Sequence, residues 1–443
     1  MFRRLALAWF VALLALGGPQ VRAQIPFHKD LIPSRTSLAR LGLERQWLVV
    51  VPLYGSERLL QISRGQDLFF AQTSEANLHV YEVESGRLLW SVSLGVGAPH
   101  PRPISANSFA VFAASANVLS ALDRGTGRTI WKVSLPDIPT SGTACDEERV
   151  MVGMMNGRII AYSLLETTPR GDRKIRVRPK EAWSWQTGGP IHTLPLPAEH
   201  VVAFGSDDGR VYVAMNDERT MLYRFSTGGA IGNGLGAYNT RTLLIPSADH
   251  NLYAVDLWTA RPIWSFPSGA PIEQAPLITD DDILVINQRG LLSLVEPKTG
   301  QARWTTSTEG GQLVSVSGDK VYLRSYNNDL YEIDRGTGRV IADPAATLQR
   351  AGLNLREFGL SFLNRYDDRC YFATQSGVVV CLHQVGLETP RLLRDPNALP
   401  FGYIPPEGIQ EPRPEETPID DGEAAPEEAK DSRGIPEPEP DEF

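Results

Sequence analysis

The sequence predicts an all-β protein: an eight-bladed β-propeller of four-stranded blades, followed by a disordered C-terminal tail. Two observations lead to this fold. A sequence motif with an apolar pair, Asp or Glu, Gly and Trp recurs about every forty residues. Short strands of alternating apolar and polar residues surround each copy. Clear copies occupy residues 119–131, 252–264 and 291–304. Because one blade cannot bury both of its faces alone, such repeats stack around an axis.

The number of blades follows from the middle hairpins, which give eight cycles. They are centred near Asn77, Asn117, Gly157, Gly209, Asn251, Gly290, Asn328 and Gly377. The eighth cycle ends after Leu382 without its last strand, and an apolar segment at residues 47–51 precedes the first cycle. We therefore expect this segment to supply the missing strand and close the ring. Seven blades is the alternative, if one degenerate cycle is not a blade.

The repeated Asp, Gly and Trp residues are expected to have structural roles. Asp can hydrogen-bond the turn backbone, Gly supplies a positive φ, and the large ring of Trp suits the seam between neighbouring blades. The fourth cycle has no Trp and is expected to use Phe225, and the seventh has Ala342 at the Trp position. The structural residues predicted in this way are Trp90, Asp123, Trp131, Trp185, Asp256, Trp264, Trp304 and Asp334.

The repeat LxALDxxTGxxxW resembles that of the PQQ-like, or quinoprotein-type, propellers over roughly residues 47–384. That class includes dehydrogenases that bind pyrroloquinoline quinone (PQQ) and non-enzymatic propellers of outer-membrane assembly. This chain looks nearer to the second group, because its connections are short and it lacks the adjacent cysteine pair that the dehydrogenases place beside the quinone. The resemblance departs from the outer-membrane lipoprotein too, since no cysteine follows the leader segment to carry a lipid.

The resemblance implies a non-catalytic scaffold that binds or assembles proteins at the cell envelope, with no cofactor. The alternative is a PQQ-dependent oxidoreductase that uses PQQ with calcium at the channel mouth. The histidines have no metal-ligand spacing, and there is no C-x-x-C-H, G-x-S-x-G or P-loop motif, so no metal site is predicted.

The chain is predicted to have five parts. Residues 1–23 read as a secretory signal peptide, with basic Arg3 and Arg4 before a short apolar core. An N-terminal lead-in (24–46), the propeller (47–384), an extended linker (385–406) and an acidic tail (407–443) follow. No later apolar run is long enough to cross a bilayer. We therefore expect an exported monomer, periplasmic or extracellular, without a transmembrane anchor.

The acidity of the chain is concentrated in its tail. Residues 407–443 contain fourteen Asp or Glu against three Lys or Arg, so the propeller itself is close to neutral. The tail is also rich in Pro and poor in apolar residues, which predicts disorder. This charge balance gives no support for nucleic-acid binding. The expected partners are instead other envelope proteins, as the resemblance implies, or anionic envelope polymers.

Polar residues recur in the connections that enter the innermost strands, where they would surround one mouth of the axial channel. Such a ring of polar groups around a concavity is a candidate ligand site, although propeller channels are polar whether or not they bind anything. The ring consists of His100, Arg102, Ser141, His192, Asn233, Glu273, Gln274 and Gln312.

An insertion at residues 169–180 joins the third and fourth strands of the third blade, so it should project from the opposite mouth. It is predicted to be either a solvated loop or an anion contact, and its acidic counterpart, the tail, is predicted to screen it in a salt-sensitive way. Its cations are Arg170, Arg173, Lys174, Arg176, Arg178 and Lys180.

Two local features complete the prediction. Cys370 and Cys381 flank the eighth hairpin, and a disulfide between them forms only if the register is symmetric, because a slip of one residue turns a side chain to the other face. Cys145 would stay unpaired. A short helix is expected after the seventh blade, capped by Asp343, with Pro344 in its first turn and Gly352 at its end.

Overall fold

The computed structural model describes residues 32–95, 100–169, 171–217 and 219–405. Within them the chain forms eight antiparallel four-stranded sheets. The predicted eight-bladed, all-β propeller is therefore confirmed. The predicted signal peptide and acidic tail lie outside the described residues.

The first elements are the helix α1 (Arg35–Arg40) and the strand β1 (Leu43–Val50). Blades 1 to 4 then comprise β2 (Leu59–Arg64), β3 (Leu68–Thr73), β4 (Asn77–Glu82), β5 (Leu88–Ser93), β6 (Ser105–Ala106), β7 (Ala110–Ser115), β8 (Val118–Asp123), β9 (Thr129–Ser134), β10 (Pro139–Cys145), β11 (Arg149–Met154), β12 (Arg158–Thr167), β13 (Arg173–Gln186), β14 (Leu196–Pro197), β15 (Val201–Gly205), β16 (Arg210–Met215) and β17 (Met221–Ser226). Blades 5 to 7 comprise β18 (Gly236–Ala237), β19 (Thr242–Pro246), β20 (Asn251–Asp256), β21 (Pro262–Pro267), β22 (Leu277–Ile278), β23 (Ile283–Ile286), β24 (Leu291–Val295), β25 (Ala302–Ser307), β26 (Gln312–Ser317), β27 (Lys320–Arg324), β28 (Leu330–Asp334) and β29 (Val340–Ala342). A π-helical turn (Ala346–Arg350) precedes the strands of blade 8, which are β30 (Leu360–Ser361), β31 (Cys370–Ala373) and β32 (Val378–Gln384).

Ring closure follows the prediction from the apolar N-terminal segment. In blade 8 the order is β1-β32-β31-β30, so the first strand of the described residues is the outermost strand of this blade. Trp47 pairs with Cys381 and Val50 with Val378. The strand begins earlier than the predicted segment, at Leu43. Closure in this way pairs an edge that would otherwise be open.

The repeated Trp residues join each blade to the next. The indole N–H of Trp90, in blade 1, donates to the carbonyl of Arg124, in blade 2, at 2.8 Å. Its ring lies against Gly127, where φ is +70° and an added Cβ would come within 2.5 Å of the indole. Trp264 and Trp304 make the same hydrogen bond, each at 2.8 Å, to the turn of the following blade. Glycine is thus required in these turns for both its φ and the close approach of the ring.

The repeated Asp residues hold the turn against which that Trp packs. Asp123 accepts hydrogen bonds from the backbone N–H of Thr126 at 2.8 Å and from its hydroxyl at 2.6 Å. The hydroxyl hydrogen bond is the main cause of a lowered pKa at Asp123. Asp256 and Asp334 accept from a Thr three residues later in the same way.

Two of the predicted seam residues are wrong, each by two positions along its strand. In blade 3, Trp183 rather than Trp185 pairs opposite Ala161 and donates to the carbonyl of Asn216 at 3.1 Å. In blade 4, Tyr223 rather than Phe225 pairs opposite Val213, and its hydroxyl lies 3.5 Å from the carbonyl of Asp256. Residues two apart on a strand share a face, so alternation alone cannot select between them.

The possible disulfide does not form, because Cys370 and Cys381 are free. The register pairs Cys370 with Leu382 and Tyr371 with Cys381, so the two thiols point to opposite faces of blade 8. Cys370 lies in the core shared with blade 7, and Cys381 lies in the core shared with blade 1. Burial raises the pKa of both thiols.

The helical turn after blade 7 lies where it was predicted. Asp343 accepts a hydrogen bond from the N–H of Ala346 at 2.7 Å, and Gly352 follows the turn with φ of +71°. The body of the turn is π-helical rather than α-helical.

The segment after blade 8 crosses the mouth of the channel opposite the predicted polar ring. We call residues 386–403 the strap. The N–H of Arg391 donates to Asp368 of blade 8 at 3.1 Å. Farther along, Arg394 donates to the carbonyl of Ala237 in blade 5 at 2.8 Å, and the N–H of Gly402 donates to Thr240 at 2.8 Å. The strap therefore links blade 8 to the far side of the ring.

Candidate ligand site in the axial channel

The channel contains a cavity of about 730 Å³ that residues from all eight blades line. Its walls are the innermost strands and the connections that enter them. Cavities that bind small molecules in proteins typically measure about 300–1,000 Å³. The volume is therefore large enough for an organic ligand.

Seven of the eight predicted ring residues line this cavity. They are Arg102, Ser141, His192, Asn233, Glu273, Gln274 and Gln312. His100 is exposed and does not line the cavity, whereas Arg102, two residues later, does.

Several of these polar groups already have protein partners that join neighbouring blades. The amide of Gln274 donates to the carbonyl of Leu313 at 2.8 Å and accepts from its N–H at 3.0 Å. Gln312 accepts from Arg324 at 2.8 Å. Gly153 donates its N–H to the Ser141 hydroxyl at 2.8 Å. Much of the ring is therefore satisfied by the fold itself.

Two further polar groups of the ring also have neighbours. His192 lies 3.5 Å from the carboxylate of Asp207. Glu273 accepts a hydrogen bond from Gln288. Glu273 is the one carboxylate among the described residues that line the cavity.

Sequence reasoning missed the floor of the cavity, which blade 8 supplies. The connection between β30 and β31 carries Arg365 and Tyr366 into the channel. A guanidinium nitrogen of Arg365 lies 2.8 Å from where a Cβ on Gly234 would stand, so this side chain reaches from blade 8 across to blade 5. No repeat motif marks these residues, and the available signal was the charge-rich sequence NRYDDR at 364–369 in a connection that other blades keep short.

A buried polar network holds this floor in place. Arg64 of blade 1 forms an ion pair with Asp367 at 2.8 Å, with side chains only 3% and 4% exposed. Asn364 donates to the same carboxylate at 2.6 Å, and the Tyr366 ring lies 4.9 Å from the Arg64 guanidinium carbon. Loss of one partner of such a buried pair typically costs about 3–5 kcal/mol, because it leaves an uncompensated charge. The connection that carries Arg365 is therefore firmly positioned.

Two arginines in the cavity are unpaired. Among the residues that the structure describes, neither Arg102 nor Arg365 donates a side-chain hydrogen bond or lies in an ion pair. Burial lowers the pKa of both guanidinium groups. The lining thus combines two half-buried cations that have no described partner with polar and apolar walls.

The basic insertion forms a strand rather than the predicted loop. β12 and β13 extend beyond the blade as a long hairpin in which Leu165 pairs with Ile175 and Thr167 with Arg173. The chain alternates there between side chains on the two faces, which is strand geometry. Arg170 lies outside the described residues.

Three cations of this hairpin already have carboxylate partners. Arg173 pairs with Glu148 at 2.6 Å, and Lys174 and Arg176 pair with Glu166 at 3.1 and 3.2 Å. Arg178 and Lys180 form no ion pair with any described residue. The free positive charge is thus smaller than the sequence predicted.

The fold, the turn-and-tryptophan repeat and the short connections together define a PQQ-like eight-bladed propeller. Comparison with protein families agrees and is more specific: the family model described as outer membrane protein assembly factor BamB matches residues 44–217, 115–340 and 198–399. These overlapping matches cover most of the chain, which belongs to this family.

Individual relatives are distant. The chain is 23% identical to outer membrane protein assembly factor BamB of Burkholderia pseudomallei over 233 residues, which is 49% of this chain and 58% of that protein. It is 22% identical to the protein of the same name from Shewanella oneidensis over 275 residues, 56% of this chain and 68% of that protein. The match therefore spans less than two thirds of the Burkholderia relative.

Solved structures share the fold. The crystal structure of BamB from Moraxella catarrhalis matches with a TM-score of 0.59 and 17% identity, over 77% of this chain and 98% of that one. The computationally designed Ika8 protein matches with a TM-score of 0.56 and 15% identity, over 74% of this chain and 97% of that one. In the described part of the chain, no helix has the length and apolar character needed to span a membrane.

Proposed function

We propose that this protein is an exported, non-catalytic scaffold that binds another protein during assembly at the cell envelope. Its family and its relatives' names as assembly factors support this function. We propose further that it acts as a monomer, without a cofactor, in the periplasm or outside the cell.

The observation that carries the proposal is the extended outer edge of blade 3. β13 is the outermost strand of its sheet, with 14 residues, and its far half projects as a hairpin. Ile175 and Val177 are 41% and 69% exposed on that strand. A long edge strand with exposed apolar side chains is a template for pairing with another chain.

The chemistry of the edge indicates what it pairs with. Arg178 and Lys180 follow the apolar residues on the same strand. They have no carboxylate partner among the described residues, so an acidic strand would complement them. An added strand would gain main-chain hydrogen bonds from the edge and contacts from Ile175 and Val177. We therefore propose a protein partner that presents an edge strand with acidic side chains, in preference to an anionic polymer held by charge alone.

Site-specific photo-crosslinking in the full chain tests this surface. A photoreactive residue at Val177 should give one discrete protein adduct in the envelope fraction. The same residue at Ile263, which is 49% exposed on the outermost strand of blade 5, is the matched control. Equal adducts at both positions, or none at Val177, would contradict the proposal.

Two substitutions separate binding from folding. Ile175→Lys with Val177→Lys should abolish the adduct without changing the melting temperature, since both side chains are exposed. Arg178→Glu with Lys180→Glu should weaken capture of an acidic strand. If charge reversal removes all binding and the Lys pair leaves it intact, the partner is an anionic polymer instead.

The enzyme alternative has its own test. A PQQ-dependent oxidoreductase would bind PQQ with calcium saturably and then oxidise alcohols in a dye-linked assay. We expect no alcohol oxidation from the purified protein, with or without added PQQ and calcium. Activity in that assay would overturn the non-catalytic proposal.

A further inference from the structure

The floor of the axial cavity holds a positive charge that no described residue neutralises. Arg365 lines the cavity, reaches from blade 8 to within contact of Gly234 in blade 5, and has no described acceptor for its guanidinium. A half-buried guanidinium that faces a cavity without a protein partner is a group that proteins use to bind anions.

The residues around Arg365 hold its connection in place from both sides. The neighbouring residues Asn364 and Asp367 are fully tied to Arg64 and to the backbone of Arg369. The strap supports the same connection from outside, where the N–H of Leu393 donates to the carbonyl of Tyr366 at 3.0 Å. Rigid support on both sides, with one cation left unpaired between them, is the geometry of a preorganised binding group.

A second unpaired cation lines the same cavity. Arg102 enters from blade 2, and its pKa is lowered by burial, as is that of Arg365. The one described carboxylate in the lining, that of Glu273, is held by Gln288. The lining therefore has an excess of positive charge, while the protein as a whole is acidic.

The rest of the lining indicates the body of the ligand. Ile104, Leu235 and Phe362 contribute apolar wall, and the volume of about 730 Å³ admits a group larger than an inorganic ion. We propose that the axial cavity binds a small organic oxyanion, a carboxylate or phosphate on an apolar body, whose charged group is held by Arg365 with Arg102 in the same cavity. This site is independent of the proposed protein-binding edge, which lies on the outer strand of blade 3.

Calorimetric titration with three ring compounds of similar size tests the proposal. Benzoate and phenyl phosphate carry the oxyanion, and benzamide is the neutral control. We expect saturable binding of at least one oxyanion and none of benzamide; which oxyanion binds more tightly identifies the charged group. Binding of none of them, or equal binding of benzoate and benzamide, would overturn the proposal.

Substitutions locate the site. Arg365→Gln should weaken oxyanion binding about tenfold or more, as expected for loss of a charged hydrogen bond, and Arg102→Gln should weaken it to a smaller extent. Arg128→Gln, on an exposed turn, is the matched control and should leave binding unchanged. If Arg365→Gln binds the oxyanion as tightly as the parent does, another residue holds the charged group and the proposal is overturned.

Stability without ligand separates a binding role from a structural one. Because Arg365 has no described partner, Arg365→Gln should leave the melting temperature unchanged or raise it, while the oxyanion no longer stabilises the variant. Arg64→Gln breaks the buried pair with Asp367 and should lower the melting temperature strongly. If Arg365→Gln lowers it as much as Arg64→Gln does, Arg365 is a structural residue and the proposal fails.

Discussion

The two seams that flank blade 8 are closed by the same N-terminal segment, but with different chemistry. At the seam between blades 8 and 1, β1 supplies the repeat's tryptophan. At the seam between blades 7 and 8, the repeat's tryptophan is replaced by Ala342, and a helix fills the space.

The first of these seams follows the rule of the other blades. The indole N–H of Trp47 donates to the carbonyl of Val83 in blade 1 at 2.8 Å. Its ring lies against Gly86, where an added Cβ would come within 2.8 Å of the indole, and it meets Phe69 edge-on at 5.7 Å. The chain end thus reproduces a seam that elsewhere forms between consecutive blades.

The second seam replaces the tryptophan with a cluster. Ala342 pairs opposite Glu332, the position that carries Trp in other blades. Leu38 and Leu41, from α1 and its end, are buried in a cluster with Ala342 and Phe358. The ammonium of Lys320 donates to the carbonyl of Leu41 at 3.0 Å, which ties the helix end to blade 7.

The comparison shows that a seam requires apolar volume and a hydrogen bond to a backbone carbonyl, rather than a particular residue. The Trp47 indole donates to Val83, and the Lys320 ammonium donates to Leu41. It also shows that residues 35–50 fill both seams of blade 8, with α1 on one side and Trp47 on the other. The stability of the ring should therefore depend on this segment more than on any one blade seam.

Deletion of residues 32–50 should have the largest effect. It removes the outer strand of blade 8, Trp47 and α1 together, so both seams lose their filling and an edge is exposed. We expect loss of a single cooperative unfolding transition, measured by circular dichroism during heating. Deletion of residues 406–443 is the control and should leave the transition unchanged; a cooperative transition in the first variant would show that the ring does not need this segment.

Trp47→Ala should have the next largest effect, about 3–5 kcal/mol of unfolding free energy, because it leaves a large cavity and an unpaired carbonyl. Trp304→Ala, in the seam between blades 6 and 7, should cost somewhat less, because its indole makes the same hydrogen bond to the next turn but its ring is only half-buried. Trp185→Ala should cost clearly less, since its indole has no described hydrogen-bond partner. Urea denaturation of the three variants measures this, and an equal loss for Trp185 and Trp47 would reject the assignment of Trp183 to the seam.

Ala342→Trp tests whether the two seam designs exclude each other. In the full chain the helix occupies the space, so we expect overpacking to cost about 1–3 kcal/mol. In a chain without residues 32–41 the same substitution should be stabilising, because the indole then fills the vacated volume. Urea denaturation of the four combinations gives the coupling energy. The same sign in both backgrounds would mean that helix and indole use different sites.

The repeat pattern predicted most of this architecture, including the closing strand, because packing between blades imposes the same residues at a fixed period. Its failures share a cause. Trp185 was predicted in place of Trp183, and the disulfide between Cys370 and Cys381 was left open, because alternation identifies a strand but not its register.

The binding features escaped the pattern for a different reason. Arg365 lies in a connection outside the repeat, and only the three-dimensional course of blade 8 brings it to the channel. Likewise, the sequence showed the cations of the blade 3 hairpin but not Glu148 and Glu166, which neutralise three of them.

Lowering the pH should affect the stability of the two seams differently, and less than the substitutions above do. One buried titratable group lies beside each seam. His79 lies in blade 1, where burial lowers its pKa; its Nδ1 lies 2.7 Å from the Ser91 hydroxyl. Glu332 lies in blade 7, where burial raises its pKa and Lys320, 3.3 Å away, opposes that shift in part.

The two shifts have opposite consequences for stability. As pH falls through the ordinary histidine range, the unfolded chain binds a proton that native His79 resists, so stability is lost until the native group also titrates. For Glu332 the native state takes up its proton first, so stability rises as pH falls from its native pKa to the unfolded value of about 4.3. Each group contributes a slope of at most about 1.4 kcal/mol per pH unit.

Replacing each group by glutamine isolates its contribution to the pH dependence of the unfolding free energy. His79→Gln should remove a loss of unfolding free energy as the pH falls below the ordinary histidine value of about 6.5. Glu332→Gln should remove a gain in unfolding free energy as the pH falls toward about 4.3. Urea denaturation at several pH values measures both, with His250→Gln, on an exposed turn, as the control for replacing a histidine by glutamine. If His79→Gln keeps the full acid sensitivity of the parent, another group carries it, and the seam between blades 8 and 1 is not the acid-sensitive side of blade 8.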